Sequence, residues 1–140
     1  MNTLGYGKVA QAAISALSHL AVNFDGGKTS FNAAEIAEAR NLPRPLIAKV
    51  LTQLGQTEFV SGIAGRNGGY TLVREPELVT FYEVVVLFER VGEKPFCPFG
   101  PGWCARKTPC AVHDQIEELH QSVHRFLKGT NFGSLENPDV

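Results

Sequence analysis

Much of what marks a function class is scarce in this chain. Its 140 residues include one tryptophan (Trp103), one methionine (Met1) and no run of about 18 apolar residues, so no membrane span is expected. The N-terminus lacks the basic, apolar and small-residue regions of a secretory leader, which makes the cytoplasm the expected location. Neither charge is in excess. Thirteen Lys and Arg face fourteen Asp and Glu, and residues 1–90 hold eight of each, so nucleic-acid binding would have to rest on a local patch. No nucleophile–base constellation, phosphate loop or paired acid motif stands out, and an enzyme is not expected. Paired C-x2-C knuckles are missing, and the three cysteines are too few and odd in number for a disulfide framework. Hydrophobic content of 44% against 19% charged residues nevertheless supports one folded domain.

Those three cysteines sit in a single stretch, Cys97 to His113, at spacings C-x6-C-x5-C followed by C-x2-H. Pro95, Pro98, Pro101 and Pro109 with Gly100 and Gly102 break the segment into turns, excluding a regular helix or strand. Thiolates are soft ligands, and three Cys with one His supply four donors, enough for an Fe–S centre or tetrahedral zinc. The long loops suit a cluster better than zinc, while free thiols acting as a redox switch remain open. Cys110 and His113, three apart at a helix start, share one face. His113 as a ligand stands against His113 as an ordinary helix-surface residue.

The rest of the chain is mainly helical with one small hairpin. Val9, Ala13, Leu17, Leu20 and Ala21 space a first helix over 4–24, closed by Gly26 and Gly27. Asn32 with Glu35 forms a capping box that starts a short second helix. After the turn at Arg40–Leu42, Pro43 suits the first turn of a third helix running to about Leu54. Ile47, Val50, Leu51 and Leu54 are its buried stripe, leaving Arg44, Pro45, Ala48, Lys49 and Gln53 outside. This is a helix-turn-helix pattern. Residues 59–63 and 70–73 alternate as short strands around the tip 64–69, a hairpin that reads as a wing, with Arg66 placed for a minor groove or a phosphate. Thr80 with Glu83 caps a fourth helix through about Val91, apolar nearly all round and expected to be central to the core. From about Pro109, Val112, Ile116, Leu119, Val123 and Phe126 repeat at 4-3-4-3, a seam expected to pack on a second subunit, or else on the first helix.

In this order, helix, helix-turn-helix, wing, cysteine loop and terminal helix resemble the Rrf-type (IscR/NsrR-like) winged-helix regulators of bacteria. The most specific matches are Asn41-Leu42-Pro43 with Lys49-Val50-Leu51, the wing Gly65-Arg66-Asn67-Gly68-Gly69-Tyr70-Thr71-Leu72, and the cysteine loop ending C-x2-H. The resemblance implies a homodimer with crossing terminal helices, an Fe–S cluster near the dimer interface, and two recognition helices on a palindromic operator. It carries the ligand roles onto Cys97, Cys104 and Cys110, and onto His113 as in the cluster-regulator branch. Three positions depart from the pattern. The first cysteine loop has six residues where five is usual. Lys8 stands where the nitric-oxide branch has an acidic ligand. Ala48 stands where the cluster-regulator branch has a glutamate, so the operator is not inherited.

The expectation is therefore a winged helix-turn-helix domain (1–91), a cluster-binding loop (92–109), a dimerisation helix (110–129) and a flexible tail (130–140). Arg44, Pro45, Ala48 and Lys49 would meet the major groove, and Arg66 and Asn67 the minor groove or backbone. The expected cofactor is an Fe–S cluster, [2Fe–2S] foremost and [4Fe–4S] as the variant. Two other functions stay open: a cluster-free thiol regulator, and an Fe–S electron-transfer protein that uses the winged helix only for docking.

Overall fold

The computed structural model describes residues 7–66, 68–89 and 112–135. Helix α1 spans Lys8–Val22 and buries Ala10, Ala12, Ala13, Ala16, Leu17, Leu20 and Ala21. Four of these are alanines within seven residues, too small to hold neighbours off. Helices α2 (Ala33–Arg40), α3 (Arg44–Leu54) and α4 (Phe81–Phe88) all pack on α1. The centre of the core is therefore α1 and not α4. Helix α4 buries Val84 and Val85, while Val86 and Leu87 remain 40% and 46% exposed.

Local signals start the helices. The Asn32 side chain accepts the Glu35 N–H at 2.8 Å and Glu35 reaches back to the Asn32 N–H; Thr80 and Glu83 do the same for α4. Asn41 ends α2 in the left-handed region (φ 53°), which turns the chain directly into α3. Pro43 is the N-cap of α3, one position earlier than expected, and Pro45 fills the first turn. Ile47, Val50, Leu51 and Leu54 are all fully buried, the stripe the spacing implies.

Strands β1 (Val60–Ile63) and β2 (Gly69–Leu72) pair antiparallel, with Val60 opposite Leu72 and Ile63 opposite Gly69. Phe31 adds an isolated antiparallel bridge to β2 by pairing with Tyr70. Arg74 ties the wing base to α4: it bonds Glu58 at 3.0 Å, lies 3.6 Å from Glu83, and stacks over Phe59.

Helix α5 (His113–Gly129) follows the segment that carries the cysteines. Leu127 is its fully buried residue, packed with Ala10 of α1 and Val85 of α4. The seam is split: Val123 packs against this cluster and Phe126 meets Phe81 edge-on at 6.0 Å, yet Leu119 and Phe126 stay 60% and 52% exposed. The helix thus docks inward through Leu127 and presents apolar side chains outward.

Residues 130–140 do not form a flexible tail throughout. Phe132 is 1% exposed, its N–H donates to the Val79 carbonyl at 3.0 Å, and the Phe81 N–H donates to the Thr130 carbonyl at 2.9 Å. Apolar burial of one aromatic, its ring 4.6 Å from that of Phe81 at a tilt of 43°, holds this return of the chain over 130–135. No described helix is long and apolar enough to cross a membrane.

Candidate nucleic-acid interface and thiol segment

The outer face of α3 is set by its inner one. With Ile47, Val50, Leu51 and Leu54 buried, a rotation of about 100° per residue brings Pro45, Ala48, Lys49 and Thr52 onto the opposite side. Arg44, Pro45, Lys49, Thr52 and Gln53 are exposed and Ala48 is half-buried. Pro45, Ala48 and Lys49 thus share one solvent face, with the exposed Arg44 at its edge and no acid among them. Thr52 was missing from the sequence reading. Its hydroxyl donates to the Ala48 carbonyl at 2.9 Å, the back-bond that polar residues make within helices.

The wing supplies the second cationic point. Arg66 is exposed at the hairpin tip, next to Gly65 at φ 108°, a conformation that favours glycine. A side chain at Gly68 would fall 2.0 Å from the Ile63 carbonyl oxygen, and one at Gly69 would fall 2.7 Å from the Phe31 backbone. Both glycines serve close backbone approach. Between the wing and the N-cap Asn32 of α2 lies an open groove of about 440 Å³. Asn67 lies outside the described residues.

The three cysteines, Cys97, Cys104 and Cys110, also lie outside the described residues. The elements that flank them are described. On one side the Glu89 carboxylate accepts the Gly7 N–H at 2.7 Å, a negative group at the first turn of α1. On the other side His113 is the first residue of α5, and Val112 is its N-cap. Helix α5 continues to Leu127, whose contacts are Ala10 and Val85. In sequence the thiol segment therefore joins the end of α4, tied to the N-cap of α1 through Glu89, to a helix that packs back on α4 with Ala10 of α1 in the same cluster. Among the described residues no three His, Cys, Asp or Glu gather as a metal site. The donor chemistry of three thiolates and an imidazole within one short segment fits a soft metal centre.

Of the other histidines, His19 packs edge-on to Phe31 at 4.8 Å, and its pKa is lowered, by burial first and by Arg40 second, against an upward pull from Glu35. His124 sits 5.0 Å from Tyr82 and 5.6 Å from His120, and its pKa is lowered by burial and then by Lys128 and His120.

Comparison with known proteins gives consistent matches. The family model described as "Rrf2: Iron-dependent Transcriptional regulator" matches residues 7–138. An HTH-type transcriptional regulator of Aquifex aeolicus is 34% identical over 127 residues, covering 89% of this chain and 86% of its own. The HTH-type transcriptional regulator IscR of Escherichia coli is 24% identical over 125 residues, covering 89% and 75%. Among solved structures, CymR of B. subtilis, titled its global cysteine regulator, superposes with a TM-score of 0.70 at 20% identity, covering 93% and 94%. T. potens IscR gives 0.65 at 21% identity, covering 90% and 81%.

Proposed function

Since this chain belongs to the Rrf2 family of DNA-binding transcriptional regulators, we propose that it is a homodimer whose affinity for a palindromic operator is set by an Fe–S cluster on Cys97, Cys104, Cys110 and His113. The observation that carries this reading is the position of His113. It opens the helix that packs on α4, burying Leu127 in one cluster with Val85 and with Ala10 of α1, and that exposes Leu119 and Phe126. A ligand at that point would couple donor chemistry to both the subunit contact and the DNA-binding domain.

In this scheme Arg44 and Lys49 would approach the major groove from each protomer, and Arg66 with Asn67 the adjacent backbone or minor groove. The exposed seam on α5 would pair with its copy by a two-fold axis, which sets the distance between the two α3 helices. The bound cluster, [2Fe–2S] in first place and [4Fe–4S] as the variant, supplies a redox- and nitric-oxide-reactive centre. What this chain would contribute is the transmission: three thiolates and His113 would hold the group at the start of α5, and α5 packs on α4, which in turn packs on α1 beside α3. This is a two-state element biased by a local chemical event.

Iron and sulphide counts with a visible spectrum on anaerobically purified protein test the reading. Near-stoichiometric iron and sulphide with visible absorbance are expected, with a changed spectrum in His113→Ala and an unchanged one in His120→Ala. Protein free of iron and colourless under those conditions removes the cluster from the scheme.

The thiol alternative has one observation in its favour: a Staphylococcus aureus CymR structure titled as the oxidized form shares this fold at a TM-score of 0.71 and 19% identity. In that reading Cys97, Cys104 and Cys110 act as redox thiols, and oxidant-sensitive DNA binding survives complete removal of iron.

A further inference from the structure

The outer face of α3 has an unusual donor inventory for a surface meant to read bases. The helix sequence RPLIAKVLTQL holds no Asp, Glu or Asn. Cytosine N4 therefore meets no carboxylate, and the bidentate amide pairing to adenine is available only from Gln53 in the last turn. Arg44 and Lys49 donate, and so can take guanine O6 and N7 or a phosphate. What fills the middle of the face is apolar: Pro45 and Ala48, at positions i and i+3 of one side.

Thr52, at i+7, extends this strip. It is exposed, but its hydroxyl proton is committed to the Ala48 carbonyl at 2.9 Å. With the hydroxyl proton turned onto the backbone, Thr52 offers a ligand no donor; it presents its methyl group beside an acceptor oxygen. Pro45, Ala48 and Thr52 then line up as a ribbon of carbon between two cations. In the major groove one base group is complementary to such a ribbon, the C5-methyl of a pyrimidine.

We infer that α3 reads a pyrimidine C5-methyl through Ala48 and Thr52, flanked by donor contacts from Arg44 and Lys49. The inference deepens the DNA-binding reading above and rests on it. Thymine carries that methyl in every duplex, and 5-methylcytosine presents the same group at the same place.

The test begins with duplexes selected from a randomised pool by the purified full-length chain. Each selected thymine is then replaced by uracil, which removes only the methyl, and cytosine at the same position is compared with 5-methylcytosine. Loss of one buried methyl corresponds to about a fourfold weakening. The expected result is one thymine in each half-site where uracil weakens binding by that factor, and where methylation of cytosine strengthens it similarly. Thr52→Ser, which deletes the methyl and keeps the hydroxyl, is expected to shrink the thymine/uracil ratio toward one, whereas Thr52→Val retains it. Thermal unfolding of both variants checks that each is folded. Salt-sensitive binding that ignores uracil at every selected thymine overturns the inference and leaves the DNA-binding reading standing. So does a gain from cytosine methylation of nil. No salt-sensitive binding to any duplex overturns the DNA-binding reading itself, and this inference with it.

Discussion

Phe31 and Tyr70 exchange both backbone hydrogen bonds, Phe31 N–H to the Tyr70 carbonyl at 3.0 Å and Tyr70 N–H to the Phe31 carbonyl at 2.8 Å. The residue before the α2 cap is thereby a rung of the wing, so hairpin and helix-turn-helix move as one body. Gly69 makes the rung possible, since a Cβ there would meet the Phe31 carbonyl carbon at 2.7 Å. Gly69→Ala is expected to cost about 1–3 kcal/mol by forcing the backbones apart. Denaturant unfolding checks the magnitude, and duplex binding should weaken by more than with the same change at Gly129, where a Cβ meets nothing within 4 Å.

In the proposed complex Arg66, exposed at the hairpin tip, would meet the backbone or minor groove. Arg66→Ala is expected to weaken binding about equally on all duplexes and to lower the slope of log K against log salt by about one per protomer. Binding titrations at three or more salt concentrations give that slope. A loss confined to one sequence class would assign Arg66 to base reading instead.

Leu119 and Phe126 are the large apolar side chains that α5 leaves exposed, Phe126 touching Phe81 with one edge. Leu119→Glu with Phe126→Glu is expected to leave the protomer folded and to dissociate the dimer. Sedimentation should report about twice the 15.2 kDa chain mass for the parent chain and the single-chain mass for the variant. DNA affinity should fall with it, because each half-site then pays its own association cost.

Much of this fold was legible because its signals are local. Both capping boxes, Asn32 with Glu35 and Thr80 with Glu83, act within four residues, and the buried stripe of α3 follows from helical spacing alone. The misreadings are all long-range. Helix α4 looks central by composition, but the small side chains of α1 admit three partners and leave Val86 and Leu87 outward. Phe132 is buried through partners at Val79 and Phe81, some fifty residues away in sequence, which no periodicity reports. Leu127 falls outside the 4-3-4-3 seam although it packs one turn below the seam residue Val123 in the same cluster. At the candidate interface, Arg44, Pro45, Ala48 and Lys49 were readable as the complement of the buried stripe. The Thr52 back-bond was not, since a threonine's hydrogen-bond choice is decided by its rotamer.

His19 links pH to this architecture. It touches Phe31, and burial with Arg40 holds its pKa below the ordinary 6.5, against Glu35. A lowered histidine pKa means that the unfolded chain takes up the proton first. Stability is therefore full above pH 6.5 and falls as pH drops through that value. His124 shifts in the same direction and adds to the slope. Chemical denaturation from pH 7.5 down to about pH 5 should show the decline, and His19→Gln should flatten part of it. A stability that rises on acidification would contradict the sign.

The central claim, that donor chemistry at Cys97, Cys104, Cys110 and His113 governs DNA affinity, is most directly tested by one comparison. The affinity of a single anaerobic preparation for a selected palindromic duplex is measured before and after its iron is chelated, at fixed salt and with thiols kept reduced. A change of about 5–150-fold, the usual range of coupling between two sites, is expected, together with its disappearance in Cys104→Ala. Identical affinity with and without iron, in a protein shown to have carried it, would contradict the claim.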